Sequence, residues 1–177
     1  MQAKSSGNVD VANNNDIQVA STTKTTACDV SWSAHTIGGE VKCFKYFGRR
    51  QLQNAASFCA SAGTKLLSPK NSVEFNDLRA VVEAMGKDSA ALDGNDSVAE
   101  GVWMTSSGSK VPFLEWGKYP HQPSNDGDNE HCLHFGKFKI WQKRMMNDHK
   151  CSHIDNVICE KQSNGGKFCS GKRRISF

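Results

Sequence analysis

A chain of 177 residues is long enough for one ordinary domain with extensions and too short for two large ones. Its 22 Lys and Arg outnumber 18 Asp and Glu, but residues 161–177 alone hold five bases and no acid, so the net +4 belongs to a tail. That distribution argues against a cationic nucleic-acid-binding domain, and no apolar run approaches the ~18 residues that a membrane span requires.

Residues 1–27 are Ser, Thr, Asn and Ala with hardly any large apolar side chain. Such a composition cannot offset the entropy of ordering and predicts a flexible N-terminal arm. Trp32 to Phe47 is aromatic and partly alternating, which predicts a strand or strand pair. Arg49 to Ala62 reads as a helix: Leu52, Ala55, Ala56 and Cys59 recur at steps of three and four, and Gly63 supplies the stop. That register turns Cys59 inward. A second helix follows Ser68-Pro69, with Asn71 or Ser72 as N-cap and Glu74 in the first turn. Its stripe is Phe75, Leu78, Val81, Val82 and Met85, a core face, and Gly86 ends it. Lys87 to Gly101 reads as loop, and Val102-Trp103-Met104 as a short buried strand. Residues 117–131 are polar, rich in Gly and Asn, and contain two prolines. A loop of that length inside a compact domain is uncommon unless it carries function. Cys132-Leu133-His134-Phe135, a basic stretch and a final strand around Val157-Ile158-Cys159 follow, then a basic tail at 161–177.

The seven cysteines, at 28, 43, 59, 132, 151, 159 and 169, include no Cys-x-x-Cys pair, so a thiolate zinc finger is not expected. Six disulfide partners and one leftover fit better and place the protein in an oxidising, extracellular compartment, although no apolar leader follows Met1. Spacing alone permits about 105 arrangements of three bridges and one free thiol.

Two helices, then short strands with a long polar loop held between cysteines, resemble the C-type lectin-like domain in its long form, over about residues 28–160. The resemblance implies an α+β fold with small antiparallel sheets. It also implies three bridges: Cys59 with Cys159, Cys132 with Cys151, and Cys28 with Cys43. Val102-Trp103-Met104 stands where the family usually has its Trp-Ile-Gly-Leu core strand. In sugar-binding members, a Glu-Pro-Asn or Gln-Pro-Asp triplet, an acid before the inner cysteine and a Trp-Asn-Asp triplet chelate one calcium, whose shell two vicinal sugar hydroxyls complete. This chain has Gln122-Pro123-Ser124, Glu130 and Met146-Asn147-Asp148 at those places. The implied Ca2+ ligands are therefore Gln122, Ser124, Glu130, Asn147 and Asp148, of which Gln122, Ser124, Glu130 and Asn147 also face the sugar. Pro123 is the expected cis peptide. Calcium takes six to eight hard oxygen ligands, and four of these side chains supply suitable ones. Ser124 departs from the pattern: a neutral hydroxyl replaces an amide or carboxylate, which predicts weaker calcium binding. Gln122 keeps half of the galactose-type arrangement, so the lean is to galactose. The family's auxiliary calcium sites are expected to be absent, since Asn125 and His131 stand at two of their acidic positions.

Five of the six histidines fall between 121 and 153: His121, His131, His134, His149 and His153. They match no zinc-enzyme helix motif, so catalytic zinc is not expected, nor is any other catalysis. Charging of these imidazoles below about pH 6 is expected to repel calcium and release ligand. Lys137, Lys139, Lys143, Arg144 and Lys150 form a basic strip, read as a solvated hairpin or a patch for sulfated glycans. Cys169 lies beyond the domain and is a candidate for a disulfide-linked homodimer. The rival to a secreted calcium-dependent carbohydrate-binding lectin is a calcium-independent extracellular interaction protein that binds protein or anionic glycans.

Overall fold

The structure is a computed structural model, described here for residues 27–137 and 144–164. Two small antiparallel sheets and two helices make an α+β domain. Strands β1 (Ser33–Ile37) and β2 (Glu40–Gln51) form the hairpin expected from the aromatic segment, turning at Gly38 and Gly39. Strand β7 (Ile154–Gln162) pairs with β2 along most of its length, and the two-residue β3 (Lys65–Leu66) pairs with the other edge of β7. The second sheet has β5 (Cys132–Lys137) between β4 (Ser89–Asn95) and β6 (Arg144–His149).

Helix α1 (Leu52–Ser61) begins three residues later than its periodicity suggested. Arg49, Arg50 and Gln51 instead finish β2, opposite Asn156, Asp155 and Ile154. Strand pairing there outweighs a local helical pattern that is real but short. Helix α2 (Ser72–Ala84) is capped as expected: the Asn71 side chain accepts from the Glu74 N–H at 2.9 Å. Its stripe, Phe75, Leu78, Val81 and Val82, is fully buried against Phe44, Phe135 and Ile158 from both sheets.

The strand expected at Val102–Met104 lies elsewhere. Val102 is exposed, and only Met104 makes isolated bridges, to Asn95 and Lys110. The core strand at this level is β4, inside the segment read as loop: Ala90, Ala91 and Leu92 are buried, and Ala90 and Ala91 pair with Phe135 and His134. Alanine and glycine have low strand propensity, so nothing local announces this strand, and burial against β5 makes it. Gly94 marks the closest approach. A β-carbon there would stand 2.8 Å from Leu133 Cδ2 and 2.9 Å from its Cβ, closer than side chains tolerate.

All three implied disulfides are present: Cys28–Cys43, Cys59–Cys159 and Cys132–Cys151. Cys59–Cys159 ties α1 to β7 across 100 residues of sequence. Two further boundaries shift. Strand β7 runs through Lys161 and Gln162, which the sequence reading assigned to the tail, and the Asn164 N–H bonds back to the Ala27 carbonyl. Residues 1–26 of the expected arm, and Cys169 with the rest of the tail, lie outside the described residues. No helix among the described residues is long and apolar enough to cross a membrane.

Candidate functional site

The loop between Trp116 and Cys132 is rooted on β6. Gly117 N–H donates to the Met146 carbonyl at 3.0 Å, Met146 N–H donates to Glu115, and Trp116 bridges Met146. Met146, standing where the family has Trp, is fully buried, and its thioether accepts from the Glu115 N–H at 3.2 Å. It anchors the loop's root from below. The loop then folds back through a Gln122 N–H to Gly117 carbonyl bond of 2.8 Å. The Gln122–Pro123 peptide is cis as expected; Tyr119–Pro120 is cis as well, which no sequence signal announced.

Both carboxylates of the expected ligand set grip the next segment. Asp148, fully buried on β6, accepts from Ser124 N–H at 2.9 Å through Oδ1 and from Asn125 N–H through Oδ2. Glu130 accepts from the Ser124 hydroxyl at 2.9 Å and from Asp126 N–H at 3.1 Å, both on Oε2, while its own N–H donates to Asn125 Oδ1. Asn125, in the left-handed region at φ 42°, turns the chain between them. Three of the five expected residues, Ser124, Glu130 and Asp148, are thus within one hydrogen-bonded cluster, and the other two are next to it. Gln122 adjoins it through Pro123, and Asn147 precedes Asp148 on β6. Ser124 is exposed, with its hydroxyl committed to Glu130.

Two amide oxygens stand out. Gln122 Oε1 and Asn147 Oδ1 are both buried and have no hydrogen-bond partner. Leaving such an acceptor unmet costs about 1–3 kcal/mol, so a buried orphan oxygen calls for an explanation. Among the described residues, neither Glu130 nor Asp148 forms an ion pair with Lys or Arg; His149 Nδ1, 3.7 Å from Glu130 Oε1, is the nearest basic group. Two buried carboxylates without a protein cation and two buried carbonyl-type oxygens without a donor make an all-oxygen set that fits a hard cation.

The histidines divide. His121 is exposed. His131 Nδ1 lies 3.2 Å from the buried Asp96 carboxylate and 3.6 Å from Glu100. Sequence reading missed this group because Asp96 and Glu100 lie around the unrecognised β4. His134, His149 and His153 pack ring against ring, with His149 and His153 stacked at 3.8 Å. Burial, followed by the neighbouring imidazoles, holds both His149 and His153 below the ordinary imidazole range. Of the basic strip, Lys137 and Lys150 are exposed. Arg144 turns inward to the Lys87 carbonyl, Asp88 and Glu83, and Lys139 and Lys143 lie outside the described residues.

The family model described as "Lectin C-type domain" matches residues 48–161. The chain belongs to the C-type lectin family. It is 32% identical over 120 residues to pulmonary surfactant-associated protein D of Bos taurus, covering 67% of this chain and 30% of that protein. This lectin chain therefore spans about a third of the length of that relative. It is 30% identical over 141 residues to the galactose-specific lectin nattectin of Thalassophryne nattereri, covering 77% of this chain and 82% of that one. The mouse scavenger receptor C-type lectin carbohydrate-recognition domain superposes with a TM-score of 0.60 at 24% identity, over 76% of this chain and 98% of the other. The α+β C-type lectin fold is thus established, and the family is a carbohydrate-binding, non-enzymatic one.

Proposed function

We propose that this lectin is secreted and binds carbohydrate through one calcium ion held by Gln122, Glu130, Asn147 and Asp148, with Ser124 as a weak fifth participant. The observation that carries the reading is the pair of amide oxygens, Gln122 Oε1 and Asn147 Oδ1, orphaned among the described residues, in segments that also bear two carboxylates with no Lys or Arg partner among those residues. Calcium, when bound, supplies open coordination positions for two vicinal sugar hydroxyls. The chain's own part is positional. Asp148 and Glu130 pin Ser124, Asn125 and Asp126 by their backbone N–H groups, which fixes the loop carrying Gln122 relative to β6 carrying Asn147. Galactose-type sugar is the favoured class, on Gln122 and on the specificity in the name of the relative nattectin. Three disulfides support an oxidising, extracellular location. Single sites of this kind gain avidity by clustering, for which a Cys169 bridge between two chains is one route. A non-reducing gel with monomer alone removes that route.

One observation favours the calcium-independent rival. The Asp148 and Glu130 carboxylates already accept loop N–H groups, so the loop is closed by protein donors. A glycan array run with calcium and again with chelator separates the two. The lectin reading expects sugar signals that vanish on chelation. Signals indifferent to chelator, or confined to anionic glycans and removed by salt, would sink it.

A further inference from the structure

We infer that His134, His153 and Asp155, with His149 beside them, form a second metal site, one for a zinc-class divalent cation, adjoining the oxygen site through the 3.1 Å contact of His134 Nε2 with Asn147 Nδ2 and the 3.7 Å contact of His149 with Glu130. One ligand atom from each of His134, His153 and Asp155 lies within 4.8 Å of the other two. His134 Nδ1 and Asp155 Oδ2 share a hydrogen bond of 2.8 Å, which a zinc ion at about 2.0–2.1 Å from each would replace. The His149 ring stacks nearly parallel on His153, at 13°, and walls the cluster, its Nδ1 already accepting from the Lys150 N–H at 2.8 Å.

The cluster is held from several sides. His134 is on β5, His149 at the end of β6 and Asp155 near the start of β7. His153 sits in the turn after Cys151, where its N–H donates to the Lys150 carbonyl and its own carbonyl accepts from Leu52 at the start of α1. The Cys132–Cys151 bridge fixes the same turn to β5. Asp155, 2% exposed, has Oδ1 committed to the Ser89 hydroxyl and the Asn156 N–H. That arrangement leaves Oδ2 turned to the imidazoles. Neither ring nitrogen of His153 has a hydrogen-bond partner among the described residues.

Ligand chemistry separates this site from the loop. Gln122, Glu130, Asn147 and Asp148 offer oxygen alone, which suits calcium, whereas imidazoles with a single carboxylate suit zinc. The inference therefore does not depend on the loop binding calcium. No reaction is attached to it: the site is read as structural or regulatory.

Isothermal titration of the chelator-stripped chain with zinc chloride, in excess calcium, tests the proposal. One zinc per chain is expected. His153→Ala should weaken it by about tenfold or more. Cobalt in place of zinc should give the visible absorption of a nitrogen-ligated ion, lost in the same variant. His131→Ala and Gln122→Ala should keep the zinc, which excludes the Asp96–Glu100–His131 group and the loop as its source. His153→Gln, which holds the turn's volume, stands in should the alanine variant fold poorly. No zinc bound by the parent chain, or zinc retained at full affinity in both His153 variants, overturns the proposal. So does zinc lost on replacing His131 instead.

Discussion

In the sheet of β1, β2, β7 and β3, buried charge is answered by protein. Lys42, 6% exposed, meets Glu160 at 3.6 Å, and the apolar faces of both helices close over the strands. In the loop, buried charge is answered by backbone N–H groups, the Ser124 hydroxyl and His149. Glu130 and Asp148 have no Lys or Arg partner among the described residues, and two amide oxygens nearby have no partner at all. The body's buried charges meet opposite charge from the protein itself, although Glu160 Oε2 has no hydrogen-bond partner among the described residues. On the proposed reading, a bound cation balances the loop. Stability and binding therefore reside in different residues and should be separable by mutation.

The largest expected effect tests the body. Replacing both Cys59 and Cys159 by alanine releases a constraint across 100 residues, worth about 4–5 kcal/mol in the chain-entropy account. Urea unfolding in chelator should show that loss, with a similar loss when calcium is added. A small shift would mean that the body does not depend on this bridge. Next, Gln122→Ala should lower calcium affinity by about tenfold, yet move the urea midpoint in chelator by no more than about 0.5 kcal/mol. Equal loss of stability and binding would erase the distinction between the regions. The smallest effect is a pH slope. Burial raises the Glu160 carboxyl above the usual carboxylate range, and Lys42 only partly opposes it. A carboxyl raised in the folded state binds more protons there than when unfolded. It therefore stabilises below the unfolded value, and that contribution is lost as pH climbs through the folded one. As pH rises from the unfolded carboxyl value of about 4.3 through the raised folded one, the parent should lose stability relative to Glu160→Gln, measured by urea midpoints. A flat difference would show that Lys42 fully compensates the burial.

Local chemistry made some elements legible and not others. Helix α2 carried its cap, its first-turn acid and its stripe within fifteen residues, so its reading needed no tertiary information. The disulfides and the loop's ligand pattern came through family resemblance, since spacing left the pairing open. Strand β4 was invisible because Ala90-Ala91-Leu92 becomes a strand only by pairing with β5. The same blind spot hid Asp96 and Glu100 as partners of His131. The histidine cluster was half visible: His134, His149 and His153 crowd in sequence, but Asp155 joins them only through the position of β7. Arg144 was misread for a related reason, as charge on a strand predicts exposure until Asp88 and Glu83 are found beside it.

Gly94 has a consequence for how this domain can vary. Its missing side chain is what lets β4 lie against Leu133, and β5, which bears Leu133, also bears His134 and begins at Cys132. An engineered library that diversifies residues 117–131 for new sugars can leave position 94 untouched. One that recombines β4 from another lectin must carry the glycine along. A single methyl group at 94 would push two strands apart and tilt the floor on which both cation-friendly clusters rest.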